Sequence, residues 1–246
     1  MKRRTNFDPH GNINGHHRKD EHRKWHFDYS PISLADIKPF QILVCRAKSM
    51  ISATIVAASL SDGHAAWLSH CGQILPWCPE MKVPRPSSGL IVSEATFPRH
   101  SYTPIEHYLK QYTMDNTRLT ILKLRDGVYQ TDEIKHIAER KCQLYHNTLI
   151  GAYYEVPGLL VMLMTSILRN SNPFLKKGKW ISIPEEKAKQ VMICSAEVDY
   201  GWAWLQREIN HDLFPSSLSL SVSSPQDIYD SPDTAFVAGT RKIWDN

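Results

Sequence analysis

No two of the five cysteines in this 246-residue chain form a Cys-x-x-Cys pair. Cys45, Cys71, Cys78, Cys142 and Cys194 are scattered and odd in number, so a complete disulfide framework is excluded. The spacing also offers none of the paired ligands of a structural zinc site, and no metal or cofactor is expected. Long apolar runs are missing too. The longest, Gly158 to Leu168, falls well short of the ~20 residues that a membrane span requires. The first residues are basic, but histidines and polar residues follow them, where a secretory leader would carry an apolar segment. Reduced thiols in a cytoplasmic setting are therefore the default expectation.

Charge of one sign is scarce as well. The net charge is +4, and it is unevenly placed. Residues 1 to 26 hold seven Lys and Arg against three Asp and Glu, which accounts for the whole excess. With Trp25 and Phe27 as the nearby aromatics, this argues against nucleic acid as a partner. The composition of residues 1–38 predicts a basic arm. Its five histidines, His10, His16, His17, His22 and His26, lack carboxylate or cysteine partners at metal-ligand spacing. Deleting residues 1 to 35 is expected to leave the body folded. The body spans 39–214, and a serine-rich extension, 215–246, is expected to pack on its surface.

Within the body, 40–47, 65–75, 90–97 and 118–124 read as short strands, and 49–60 and 156–169 as apolar helices. The segment 76–89 holds four prolines and reads as a loop excursion. Thr103, Pro104 and Glu106 spell a capped helix start, and Thr131, Asp132 and Glu133 open a helix running to about Tyr145. Short strands with long links predict an α+β domain, an antiparallel sheet with helices packed beside it.

One thiol stands apart. Cys194 opens the stretch CSAEVDYGWAWL, in which Val198, Trp202 and Leu205 recur at helical spacing. A cysteine in an apolar context commonly fills core, as a small hydrophobe. At a helix N-terminus it can instead be a thiolate, favoured by the dipole and by free N–H groups. Thiol catalysis further needs an imidazole to carry the proton and a polar group to orient it. His70 and Glu94, each on a predicted strand, supply those types, although a satisfied core histidine and an edge-strand charge are equally open readings. Cys71, next to His70, belongs on the opposite strand face. Cys45 has no base near it in sequence, Cys78 lies in the proline loop, and Cys142 falls inside a helix.

The segments LADIKPFQILVCRAKSMISATI, SHCGQIL, GLIVSEAT and MICSAEV occur in an order that resembles the circularly permuted, NlpC-like papain-fold cysteine amidases. The resemblance covers roughly residues 36 to 205. It implies a papain-like fold with the histidine strand first and the cysteine helix last. It also implies Cys194 as nucleophile, His70 as base and Glu94 as orienting acid, acting on an amide in a cell-wall peptide or an acylated amine.

The chain departs from that pattern in places. Phe40-Gln41 stand for Gly-Asp in the first strand, Ala196 stands where a glutamate is usual with Glu197 one place later, and GAYYEVPG replaces the usual Gly-x-x-Tyr-Asp. Two rival readings stay open. One is a lipid acyl hydrolase or acyltransferase with the same triad, its acyl pocket lined by Val156 to Leu168, Trp202 and Trp204. The other is a structural component of a virion or envelope machine that keeps the papain fold, with residues 1–38 and 215–246 as assembly contacts.

Overall fold

The computed structural model describes residues 25–46, 67–96, 98–115, 118–149, 151–152, 194–215 and 223–244. The predicted helices at 49–60 and 156–169, four of the five N-terminal histidines and the GAYYEVPG segment beyond Ala152 lie outside them.

A seven-stranded antiparallel sheet forms the centre. Its strands are β1 (Trp25–Tyr29), β2 (Ile42–Cys45), β3 (His70–Pro76), β4 (Leu90–Ala95), β5 (His100–Pro104), β6 (Leu119–Leu124) and β7 (Thr234–Trp244), in the spatial order β1-β7-β6-β2-β3-β4-β5. Among the described residues five α-helices accompany it: α1 (Ile105–Asp115), α2 (Asp132–Asn147), α3 (Cys194–Gly201), α4 (Ala203–Ile209) and α5 (Pro225–Asp230). The expected α+β class with an antiparallel sheet is what the chain forms. Among the described residues no helix is long and apolar enough to cross a membrane.

Both sheet faces are covered, which explains why β2 reads as an unbroken apolar run. Strand pleating sends Ile42 and Val44 to one face and Leu43 and Cys45 to the other, and all four are buried. On the first face lie Leu75, Ile91 and Leu122 with Ala138 and Cys142 of α2, Cys194 and Val198 of α3, and Leu205 of α4. The second face packs Leu43, Ile74, Val92 and Ile121 against Ile105 and the α1 side chains Tyr108, Leu109 and Tyr112. Trp202, fully buried between α3 and α4, donates its indole N–H to Gln73 Oε1 at 2.9 Å and ties the helix layer to β3. That contact makes it core packing, not the wall of an acyl pocket.

Three expectations need correcting. The 215–246 segment does not merely coat the surface: β7 sits inside the sheet between β1 and β6, with Thr240 fully buried. Its alternating Ala235, Val237 and Phe236, Ala238 pattern suits a strand, and the serine-rich stretch before it concealed this. The arm is likewise part of the fold from Trp25 onward, because β1 pairs with β7 from Trp25↔Trp244 to Tyr29↔Thr240. The proposed capping box at Thr103 does not form. Pro104 ends β5, the Thr103 hydroxyl bonds Glu94, and Glu106 accepts instead from Ser87 Oγ and Ser88 N, each at 2.7 Å. By contrast, Thr131 caps α2 as its sequence suggests, accepting from Ile134 N at 3.2 Å.

Phe27 shows what β1 contributes. Its ring is 3 % exposed, meets Trp67 edge-on at 5.0 Å and lies 3.8 Å under the Arg118 guanidinium. Deleting residues 1 to 35 would remove this ring along with a whole strand. Phe27→Ala should destabilise the fold by about 3–5 kcal/mol in urea titration, the usual range for emptying a buried phenylalanine site. A loss below ~1 kcal/mol would return β1 to the status of a dispensable arm.

Candidate active site

His70 and Glu94 meet because Gly72 lies between them. Strands β3 and β4 pair from Gln73↔Ser93 to Pro76↔Leu90, which places Gly72 across from Glu94 and His70 two residues further along the same face. A Cβ on Gly72 would stand 2.5 Å from Val92 Cγ1 and 3.0 Å from the Ser93 carbonyl oxygen. Any side chain there would push β4 away. With glycine, His70 Nε2 reaches Glu94 Oε2 at 2.6 Å.

Glu94 is the hub of this face. Its Oε1 accepts from the Thr103 hydroxyl at 2.6 Å, and its Oε2 also accepts from the Tyr108 hydroxyl. Burial by itself would favour the neutral acid. The hydrogen bond and charge of His70, then the Thr103 and Tyr108 hydroxyls, hold the carboxyl below its ordinary range. The phenol of Tyr108, buried beside that carboxylate, is driven far upward and stays a donor.

Cys194 arrives from the helix side of the sheet. It is the first described residue of α3, which packs against β3 and β4, and its side chain lies in the same core cluster as Cys71. At the start of β3 its sulfur interacts with both Cys71 and His70. The Cys71 hydrogen bond is the largest influence and stabilises the thiolate. Burial opposes the charge, and the charge and hydrogen bond of His70 outweigh that opposition, leaving Cys194 well below an ordinary thiol. His70 responds in kind. Burial disfavours the imidazolium, yet the Cys194 thiolate and then Glu94 raise its pKa well above the usual value. Since Glu94 engages Nε2, Nδ1 is the nitrogen left for sulfur. Cys194 is 3 % exposed, and the His70 side chain keeps 14 % of its surface open.

The structure therefore brings all three sequence-predicted residues together. The other thiols differ from Cys194. Burial pushes Cys45 up to about 11, although His70 lies directly across the ladder from it, a base invisible in the local sequence. Burial also raises Cys71 and Cys142, and it raises the half-buried Cys78.

Sequence reasoning missed Cys71 as the thiolate's donor, since it weighed Cys71 only as a competing nucleophile. Thr103 was read as a helix cap, and Tyr108 belongs to no short motif. A second polar cluster was missed altogether. On the opposite face of β4 from Glu94, Ser93 Oγ lies 2.9 Å from His100 Nε2, 2.8 Å from His146 Nδ1 and 2.7 Å from Glu197 Oε1. Glu197 Oε1 is also 3.1 Å from His100 Nε2 and 3.0 Å from His146 Nδ1. Among the described residues, His100, His146 and Glu197 are a group able to hold a metal ion. They come from β5, α2 and α3, so no sequence spacing announces them. The displaced glutamate at 197 was the one available clue.

Compared with known proteins, the chain matches no family model and no curated protein. One solved structure that it resembles is the metalloprotein yiiX from Escherichia coli O157:H7, DUF1105, at 15% identity and a TM-score of 0.48, covering 83% of this chain and 98% of that one.

An imidazolium–thiolate pair has a simple kinetic signature. Alkylation of Cys194 by iodoacetamide should stay nearly level as pH falls from 8 to 6, because its lowered pKa keeps the thiolate populated. An ordinary thiol of pKa about 8.5 would slow about tenfold per pH unit over that range. Mass mapping after brief labelling should find Cys194 first among the five cysteines, and His70→Ala should restore the ordinary slope. Preferential labelling of Cys78, with Cys194 silent until denaturation, would make Cys194 core packing.

Proposed function

We propose that this chain is a thiol-dependent hydrolase with a circularly permuted papain-like fold, acting on an amide bond in a cell-wall peptide or an acylated amine. The observation that carries the reading is the 2.6 Å bond between His70 and Glu94, with the Cys194 thiol at the head of α3 near enough to interact with the His70 ring. Thiolate, imidazole and carboxylate are the three parts that acyl transfer to sulfur needs, arranged in the order of their work. The chain order, with histidine and glutamate strands before the cysteine helix, supports the permuted form of the fold.

In the first half-reaction the Cys194 thiolate adds to the carbonyl carbon, and the electron pair of the C=O bond moves to oxygen. The backbone N–H of Cys194 is a natural donor to that oxyanion. As the tetrahedral adduct collapses, the C–N bond breaks and His70 passes its proton to the departing amine. A thioester remains. In the second half, His70 takes a proton from water, hydroxide oxygen adds to the thioester carbon, and the C–S bond breaks to return the thiolate. Glu94 holds the imidazole by Nε2 and stabilises its charged form, while Thr103 and Tyr108 fix the carboxylate. Glu94 thus carries a direct role, and the two hydroxyls position it.

Purified protein should release amine from peptidoglycan stem peptides or from an N-acyl amine, with little action on a matched lipid ester. Cys194→Ser should lower kcat at least about 10³-fold with the fold intact, and Glu94→Gln should lower kcat more than it raises KM, since it disturbs the imidazolium and not the substrate. Preference for the lipid ester would move the activity to acyl-lipid chemistry. Full turnover by Cys194→Ala would end the thiol mechanism.

A further inference from the structure

We propose that Ser93, His100, His146 and Glu197 bind one divalent transition-metal ion, zinc being the best match, as a closed structural site behind the thiol. Five of the six edges between Ser93 Oγ, His100 Nε2, His146 Nδ1 and Glu197 Oε1 measure 2.7 to 3.1 Å. With the sixth edge, His100 Nε2 to His146 Nδ1, within 4.8 Å, equal edges would put a common centre roughly 1.8 Å from each corner. Zinc bonds to nitrogen and oxygen run at about 2.0–2.2 Å, so each donor need only withdraw by ~0.2 to 0.4 Å. Two imidazoles with oxygen donors suit zinc and its neighbours in the first transition row.

Hydrogen bonding alone fits this cluster poorly. Ser93 Oγ donates to one carboxylate oxygen, Glu197 Oε1, and His100 Nε2 and His146 Nδ1 converge on that same oxygen. The other oxygen, Oε2, is buried without a protein partner, and Glu197 is fully buried. Three polar atoms therefore crowd one carboxylate oxygen while its twin has none. A cation at the centre accepts all four inner atoms as ligands, balances the carboxylate and gives Oε2 a bond through a two-oxygen carboxylate mode. The outer atoms, His100 Nδ1 and His146 Nε2, have no protein partner under either arrangement and do not discriminate.

Burial decides the role. His146 and Glu197 are fully buried and His100 is 8 % exposed, so no open position faces solvent, which is the mark of a structural site and not a catalytic one. The ion would join β4, β5, α2 and α3. Glu197 is one helical turn from Cys194, so the ion would fix the part of α3 that presents the thiol.

The test uses the full chain without an affinity tag, titrated with Zn²⁺ against a chromophoric chelator and, separately, with Co²⁺. Wild type should bind one equivalent, show the intense visible bands of four-coordinate cobalt, and lose several degrees of Tm on chelation, regained with Zn²⁺. Glu197→Gln and His146→Gln should each weaken zinc at least about 100-fold. If those variants prove unfolded by circular dichroism, Ser93→Ala and the chelation shift of wild type decide instead, and a Tm indifferent to chelator overturns the proposal. Failure of wild type to take up an equivalent also overturns it and leaves a polar network. Undiminished binding in folded Glu197→Gln would do the same and assign the ion to the histidine-rich residues 1 to 26.

Discussion

A carboxylate removed from water has to be matched by donors or cations, and this fold is organised around two buried carboxylates. Glu94 meets an imidazole and two hydroxyls. Glu197 meets two imidazoles and a serine. Strand β4 serves both, since pleating sends Glu94 to the α1 side and its neighbour Ser93 to the α3 side. The result is two polar centres back to back across one strand of a largely apolar sheet. Each also fixes a piece of chain that propensity alone leaves free: the start of α1 through Thr103 and Tyr108, and the first turn of α3 through Glu197.

The thiol depends on that arrangement. Cys194 is buried, which ordinarily favours the neutral form, and burial raises the other buried cysteines in this chain. Only a donor and a cation at close range reverse the sign. Cys71 and His70 are adjacent in sequence and point to opposite faces of β3, so they can flank one sulfur only where the strand begins and the helix crosses its end. Gly72, the next residue, lets β4 approach closely enough for Glu94 to hold the histidine. Three consecutive residues thus supply the neighbouring thiol, the charge and the space.

Much of this was readable in advance where period and chemistry coincide. Apolar runs marked β2, β4 and β6, and Thr131 marked α2. The trio of Cys194, His70 and Glu94 emerged from residue types set on predicted elements in a familiar order. The readings that failed share one cause. Thr103 has all the features of a helix cap until a carboxylate from a neighbouring strand competes for its hydroxyl. The β7 segment follows a serine-rich stretch and its partners, β1 and β6, come from distant sequence, so no local signal announces its place in the sheet. His100, His146 and Ser93 belong to three elements with no fixed spacing, and only the folded chain brings them together.

The placement of β7 has a consequence for how the molecule comes into being. The last strand described lies between β6 and the first, so the sheet cannot be completed in the order of synthesis. Until Thr234–Trp244 leaves the ribosome, β6 presents an open row of backbone donors and acceptors, an edge that invites pairing with other chains. Contacts between segments far apart in sequence, such as β1 and β7, are also slow to form. The histidine and glutamate strands are made early, the thiol late, and the strand that closes the sheet last. A growing chain therefore holds His70 and Glu94 before Cys194 has been made, and the thiol is made before the sheet can close.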